Sequence, residues 1–213
     1  MDREPCIVGV ADFPLHERGR AAEGNSELTI QKYCAEQALN QAGLKFSDID
    51  GLAVAGMWGM PGPGMMQPNV LVEYLGIKSP KWLEGTNIGG STFLLHVNHA
   101  YQAIKAGLCD TVLILYGSLQ KSNASRVLGD RPALYSNQFE VVSGLPLPVG
   151  GYALAAQRHM HTYGSTRETL AEIAVSTRAW ATMNENAAFQ TPLTMEEVLS
   201  SKPIAIGLDD KTS

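Results

Sequence analysis

Glu84 to Ser118 reads EGTNIGGSTFLLHVNHAYQAIKAGLCDTVLILYGS. The order is a polar turn centred on Gly89, Gly90 and Ser91, a long amphipathic run, a stop at Gly107, and the apolar run Thr111 to Gly117. Helical spacing followed by a short continuous apolar segment predicts a helix from about Ser91 to Ala106 and then a strand buried on both faces. A helix start offers unpaired backbone N–H groups and partial positive charge, and glycines let a ligand approach the chain closely. The turn can therefore cradle a thioester oxygen, a carboxylate or a phosphate. The same residues equally make an ordinary strand-to-helix turn with Ser91 or Thr92 as N-cap.

The pattern repeats upstream. Cys6 to Val10, CIVGV, predicts a central strand. Ser26 is a candidate N-cap for a helix that stops at Gly43, and Gly51 to Gly56 forms the next strand. VLVEYLGI is a short helix closed by Gly76, and KWLEGTN begins with a strand-like piece. The order is β-α-β-α-β-α-β, an α/β layered domain with crossover helices. Between the second strand and second helix lies MWGMPGPGMMQPNV, with three prolines, three glycines and four methionines. It is either a surface loop whose methionines cap the core or an adaptable wall for an apolar ligand or partner.

After Ser118 the chain turns loop-rich and then helical. YALAAQRHMHTYGS ends at Gly164, the next helix has Thr166 as N-cap with Thr169 at N3, and TPLTMEEVLSS has Thr194 as cap. The expected organisation is an α/β core over 1–117, a helical excursion over 118–200, and a link over 201–213. No internal repeat is visible.

The 213 residues are 45% hydrophobic and 17% charged, with net charge -5 and no Lys/Arg cluster. This argues for a packed globular chain and against a nucleic-acid surface or basic membrane patch. No apolar stretch approaches 18 residues and the N-terminus lacks a secretory core, so the expected location is the cytoplasm, without a membrane span. Cys6, Cys34 and Cys109 are widely spaced and form no CxxC pair, so buried core cysteines are expected and no metal site.

Four blocks resemble the thiolase superfamily, in its sterol-carrier and lipid-transfer branch: IVGVADFPL, AEQALNQAGLKFSDIDGLAVAG, HVNHAYQAIKAGLCDTVLILYGS and YALAAQRHMHTYGSTRETLAEIAVSTRAWATMNENA. The resemblance implies a thiolase-like layered fold, first half only, with a mainly helical loop domain that contributes to coenzyme A binding. His159 and Tyr152 are the loop-domain candidates for that groove. Thiolases carry a nucleophilic cysteine in an Asn-x-x-Cys turn before a glycine-ended helix. Asn87 and Gly107 match the asparagine and the glycine, which places Gly90 where the cysteine belongs. Glycine cannot form an acyl-enzyme.

Ser91 has no recognisable base beside it. Measured from Ser91, about 500° of helix rotation carries His96 away from the turn's face, so His96 and His99 are expected to be packing or surface groups. Conventional thiolysis from Cys34 or Cys109 is disfavoured, because Cys109 follows a helix C-terminus, where the dipole raises a thiol pKa.

The resemblance further implies acyl-CoA thioesters as substrate or ligand and no covalently bound cofactor. The expected chemistry is retro-aldol carbon–carbon cleavage in lipid or sterol breakdown, with Gly90, Ser91 and Asn87 forming an oxyanion turn. The family's C-terminal half, with its catalytic histidine, would begin where this sequence stops. The expectation is therefore an isolated chain that is inactive until completed by a C-terminal-half chain or an OB-fold/zinc-ribbon protein. A homodimer through the Lys81–Thr86 strand is expected on the same grounds. The alternative is a non-catalytic acyl-CoA-binding or scaffolding homologue.

Overall fold

The computed structural model describes residues 4–15, 21, 23–58, 67–119, 122, 137–140, 142–145 and 149–203. The chain divides into two compact units, Met1–Ala124 and Ser125–Ser213. Most of the proline- and methionine-rich loop and residues 204–213 of the expected link lie outside the described residues.

In the first unit the elements run α1 (Glu27–Ala42), a 3₁₀ turn (Phe46–Asp48), β1 (Gly51–Trp58), α2 (Gln67–Leu75), β2 (Trp82–Glu84), a 3₁₀ turn (Gly89–Ser91), α3 (Thr92–Lys105) and β3 (Val112–Ser118). The strands form a parallel sheet in the order β2-β1-β3, with Gly51 paired to both Trp82 and Val112. β1 is central and fully buried from Gly51 to Ala55. Its alternate residues serve two faces. Leu52 and Val54 join Leu113, Leu115, Ala35, Leu39, Leu71 and Leu75 in one core with α1 and α2. Burying a Leu or Val of this kind stabilises by about 1.5–3 kcal/mol. The intervening positions, Gly51, Ala53 and Ala55, are small, which leaves room for α3, whose Thr92, His96, Ala100 and Ala103 are buried.

The strand starts are tied together by Asp50. Its Oδ1 accepts from the amides of Asp110 and Thr111 at 2.8 Å each, and Oδ2 lies 2.8 Å from Lys81 Nζ. The helix stops fall where expected. Gly43, Gly76 and Gly107 all adopt left-handed φ, between 67° and 74°. Ser26 caps α1, and its N3 partner is Thr29, whose hydroxyl accepts from the Ser26 amide at 2.8 Å.

Three expectations are corrected. Cys6 to Val10 is not in the sheet: it has no ladder partner among the described residues, and Ile7, Val8 and Val10 are more than half exposed. Instead Gln41 holds Val10 from both sides, accepting from its amide at 3.1 Å and donating to its carbonyl at 2.7 Å. Gly9 lies so close to Ala38 of α1 that a Cβ would collide with the helix backbone. Cys6 is accordingly exposed rather than buried, whereas Cys109 is buried as expected. Finally, β3 is not buried on both faces: Leu113, Leu115 and Gly117 are buried but Tyr116 is 40% exposed.

The second unit contains α4 (Asn137–Glu140), α5 (Val149–Tyr163), α6 (Arg167–Thr182) and α7 (Met195–Leu199). α6 packs on α7. Arg167 donates to the carbonyl of Leu199 at 3.2 Å and Arg178 to that of Thr191 at 2.9 Å. Thr194 and Glu197 form a capping box; at the N-cap Thr166 only the return bond is made, its amide donating to Thr169 Oγ1 at 3.4 Å. No helix among the described residues is long and apolar enough to cross a membrane.

Candidate functional site: the turn between β2 and α3

β2 ends at Glu84 and the chain then folds into the turn Thr86 to Ser91, at the carboxyl end of the parallel sheet. Crevices at that end of an open α/β sheet are where ligands bind. The turn is built by its own polar groups. Asn87 Oδ1 accepts from the Gly89 amide at 3.0 Å. Gly89 has φ 83°, which a residue with a side chain rarely adopts. Thr92 closes the loop twice: its Oγ1 accepts from the Ile88 amide at 2.9 Å and donates to the Gly89 carbonyl at 2.6 Å.

Ser91 was one of two candidate N-caps, but it has helical φ and ψ and makes no side-chain cap bond. Thr92, the other candidate, secures the helix start from inside the first turn. The amide at Gly90 is the first in the row that neither Asn87 nor Thr92 engages. A Cβ built on Gly90 meets nothing within 4 Å, so the space above the turn is open. The sequence-derived trio of Asn87, Gly90 and Ser91 is thus assembled in one turn.

His96 is a packing group and His99 is partly exposed, as expected, but His96 is not turned away from the turn. Four residues after Thr92, about 400° of rotation, it shares that residue's buried face. His96 is fully buried and its Nε2 lies 3.0 Å from the Thr86 carbonyl oxygen, at the entry to the turn. Glu84 Oε1 lies 3.8 Å from His96 Nε2 and 2.6 Å from His99 Nδ1. Sequence reasoning missed this cluster. The available signal was the stripe Thr92, His96, His99 and Ala103, at three- and four-residue spacing, with the polar Glu84 and Thr86 just ahead of it in sequence.

The thiols offer no substitute nucleophile. Burial pushes the Cys109 thiol up, with Asp50 and Asp110 adding to it; burial, then Asp12, does the same to Cys34. Among the described residues no group of three or more His, Cys, Asp or Glu is placed to hold a metal. His159 and Tyr152 both belong to α5 of the second unit. His159 Nδ1 is 2.7 Å from Ser165 Oγ and its ring stacks at a tilt on Tyr163, while Tyr152 is 76% exposed.

No protein-family model matches the chain. It is 27% identical over 207 residues to the 17-hydroxy-3-oxo-4-pregnene-20-carboxyl-CoA lyase of Mycobacterium tuberculosis, covering 93% of this chain and 50% of that protein. Among solved structures, the Ltp2-ChsH2(DUF35) aldolase superposes with TM-score 0.77 at 25% identity, covering 93% of this chain and 49% of the other. A monomeric SCP2-thiolase-like protein type 1 from Mycobacterium smegmatis gives TM-score 0.64 at 21% identity, covering 92% and 39%. The fold is therefore thiolase-like. The chain spans about half the length of the curated relatives it matches.

Proposed function

We propose that this thiolase-like chain acts on acyl-CoA thioesters and takes part in retro-aldol carbon–carbon cleavage in lipid or sterol side-chain breakdown. The observation that carries the reading is the turn itself. It keeps Asn87, the open amide row at Gly90 and the following helix, yet glycine stands where the thiolase cysteine belongs and Ser91 has no recognisable base beside it. Retro-aldol cleavage needs none. A base takes the proton of the β-hydroxyl, the bond between the α and β carbons breaks to leave a carbonyl product, and the electron pair moves onto the thioester carbonyl as an enolate. Protonation of the α carbon then releases the shorter acyl-CoA. The amides at Gly90 and Ser91, at a helix start, hold the thioester oxygen as charge develops there. His159 and Tyr152 contribute to the coenzyme A groove.

The base and acid come from a completing partner, a C-terminal-half chain or an OB-fold/zinc-ribbon protein. Supporting this, the solved structure that superposes with TM-score 0.77 is the Ltp2-ChsH2(DUF35) aldolase. A homodimer through Lys81–Thr86 is part of the same proposal; β2 is an edge strand of the described sheet, with Leu83 39% exposed. The test is a cleavage assay on a β-hydroxyacyl-CoA with and without the candidate partner. Carbonyl product is expected only with the partner. Cleavage by the chain alone would overturn the assignment of acid and base, and no binding of any CoA thioester would overturn the reading itself.

A second reading, a non-catalytic acyl-CoA-binding or scaffolding protein, is favoured by one observation. The imidazole at the turn, His96, is engaged with a backbone carbonyl rather than open to a substrate. Tight thioester binding with no turnover in the presence of the partner selects it.

A further inference from the structure

We infer that His96 is a positioning residue that sets the turn from below, with Glu84 beside its donor nitrogen. The inference rests on the reading of the turn as the thioester-oxygen site. A carbonyl oxygen only accepts hydrogen bonds, so the nitrogen 3.0 Å from Thr86 O carries the proton, and the ring is held as its Nε2–H form. Nδ1 is fully buried and without a partner. Leaving such a polar atom buried and unpaired carries a penalty that an apolar side chain of similar volume would avoid. Filling the core is therefore a poor reason for histidine here, and sites that break a packing rule are where function is expected.

The gain lies at Nε2. Thr86 is the last residue before Asn87, and its carbonyl fixes the plane of the peptide from which the Asn87 turn departs. His96 on one side and Thr92 on the other thus hold the turn at Thr86, Ile88 and Gly89, and the Gly90 amide is aimed by what remains. Glu84 Oε1 lies 3.8 Å from Nε2 and 2.6 Å from His99 Nδ1, so the same carboxylate borders the donor side of the His96 ring and the neighbouring imidazole.

The experiment compares His96→Leu and His96→Gln in the full-length protein, because Gln restores an N–H donor. Amide hydrogen exchange is read at Ile88 to Thr92 and across the rest of the sheet unit, and binding of a CoA thioester is read by calorimetry. The expected result is exchange at least about tenfold faster in the turn of His96→Leu, selective against the rest of the unit, recovered in His96→Gln, with thioester affinity falling and recovering in parallel. Unchanged turn exchange overturns the inference, as does a uniform rise that Gln does not rescue. Selective, rescued exchange with unaltered thioester affinity upholds the positioning role and overturns the turn as thioester site. Where His96→Leu fails to fold, nitrogen-15 spectra of the unaltered protein decide: an Nδ1–H tautomer at His96 overturns the inference and the Nε2–H tautomer supports it.

Discussion

Thr92 Oγ1 stands 2.6 Å from the carbonyl oxygen of Gly89, a hydroxyl at the first residue of α3 that closes the loop entering the helix. The same oxygen accepts from Ile88. Both bonds are in a fully buried residue. Thr92→Val keeps the shape and removes the hydroxyl, leaving the Ile88 amide and the Gly89 carbonyl without that partner. The expected loss is about 1–3 kcal/mol, read as a lower denaturant midpoint with unchanged slope. Thr92→Ser, which keeps the hydroxyl, should recover most of it. Equal losses in both variants would show that the methyl, not the hydroxyl, matters.

Gly117 imposes a second test. A Cβ at this position would lie 2.7 Å from the carbonyl oxygen of Glu27 and 2.8 Å from Gln31 Cγ. The Glu27 atom is backbone at the start of α1 and cannot give way without moving the helix off β3. Gly117→Ala should therefore destabilise by about 1–3 kcal/mol although alanine suits a strand better than glycine. A thermal midpoint equal to that of the unaltered protein would show that α1 sits further from β3.

Asp50 predicts a pH dependence. Burial pushes its carboxyl up, but the bond from Lys81 and the amides of Thr111 and Asp110 outweigh burial and hold it below the ordinary carboxylate range. A depressed folded value means the contribution is fully present above the unfolded pKa of about 3.9 and is lost as pH falls through the folded value. Lys81 is raised, chiefly by its bond to Asp50 and then by Asp110, so its share is lost only as pH rises past the ordinary lysine range. Unfolding of Asp50→Asn should accordingly show a flatter acid limb below about pH 4 than the unaltered protein. Parallel acid limbs would sink the assignment.

The contrast between what could and could not be read from the sequence follows the range of the interactions. Local chemistry was legible: Ser26, Thr166 and Thr194 as caps, Gly43, Gly76 and Gly107 as left-handed stops, and the Asn87–Gly90 turn. These depend on residues within four positions of one another. Cys6 to Val10 has strand composition, but a strand needs a neighbour, and composition cannot show that Gln41 binds Val10 instead. His96 reads from its spacing as a packing or surface group, and it is buried; its bond to Thr86, ten positions away, depends on how the turn brings the chain back along α3, which spacing within the helix does not show.

The two glycines of the turn separate conformation from space, and this gives the sharpest test of the site. Gly89 has φ 83°, so Gly89→Ala should cost about 1 kcal/mol through backbone strain even though its Cβ would meet no atom within 4 Å. Gly90 is not among the positive-φ glycines and its Cβ is also unobstructed, so Gly90→Cys should leave stability within about 0.5 kcal/mol. The new thiol would stand at the start of α3, where uncapped amides and the helix dipole favour a thiolate. Its alkylation rate at neutral pH should exceed those of Cys34 and Cys109, whose thiols burial pushes up. Mass spectrometry of the alkylated protein separates the sites. A Cys at position 90 that alkylates no faster than a free thiol would mean the turn carries no useful positive potential, and the oxygen-binding role proposed for it would fall.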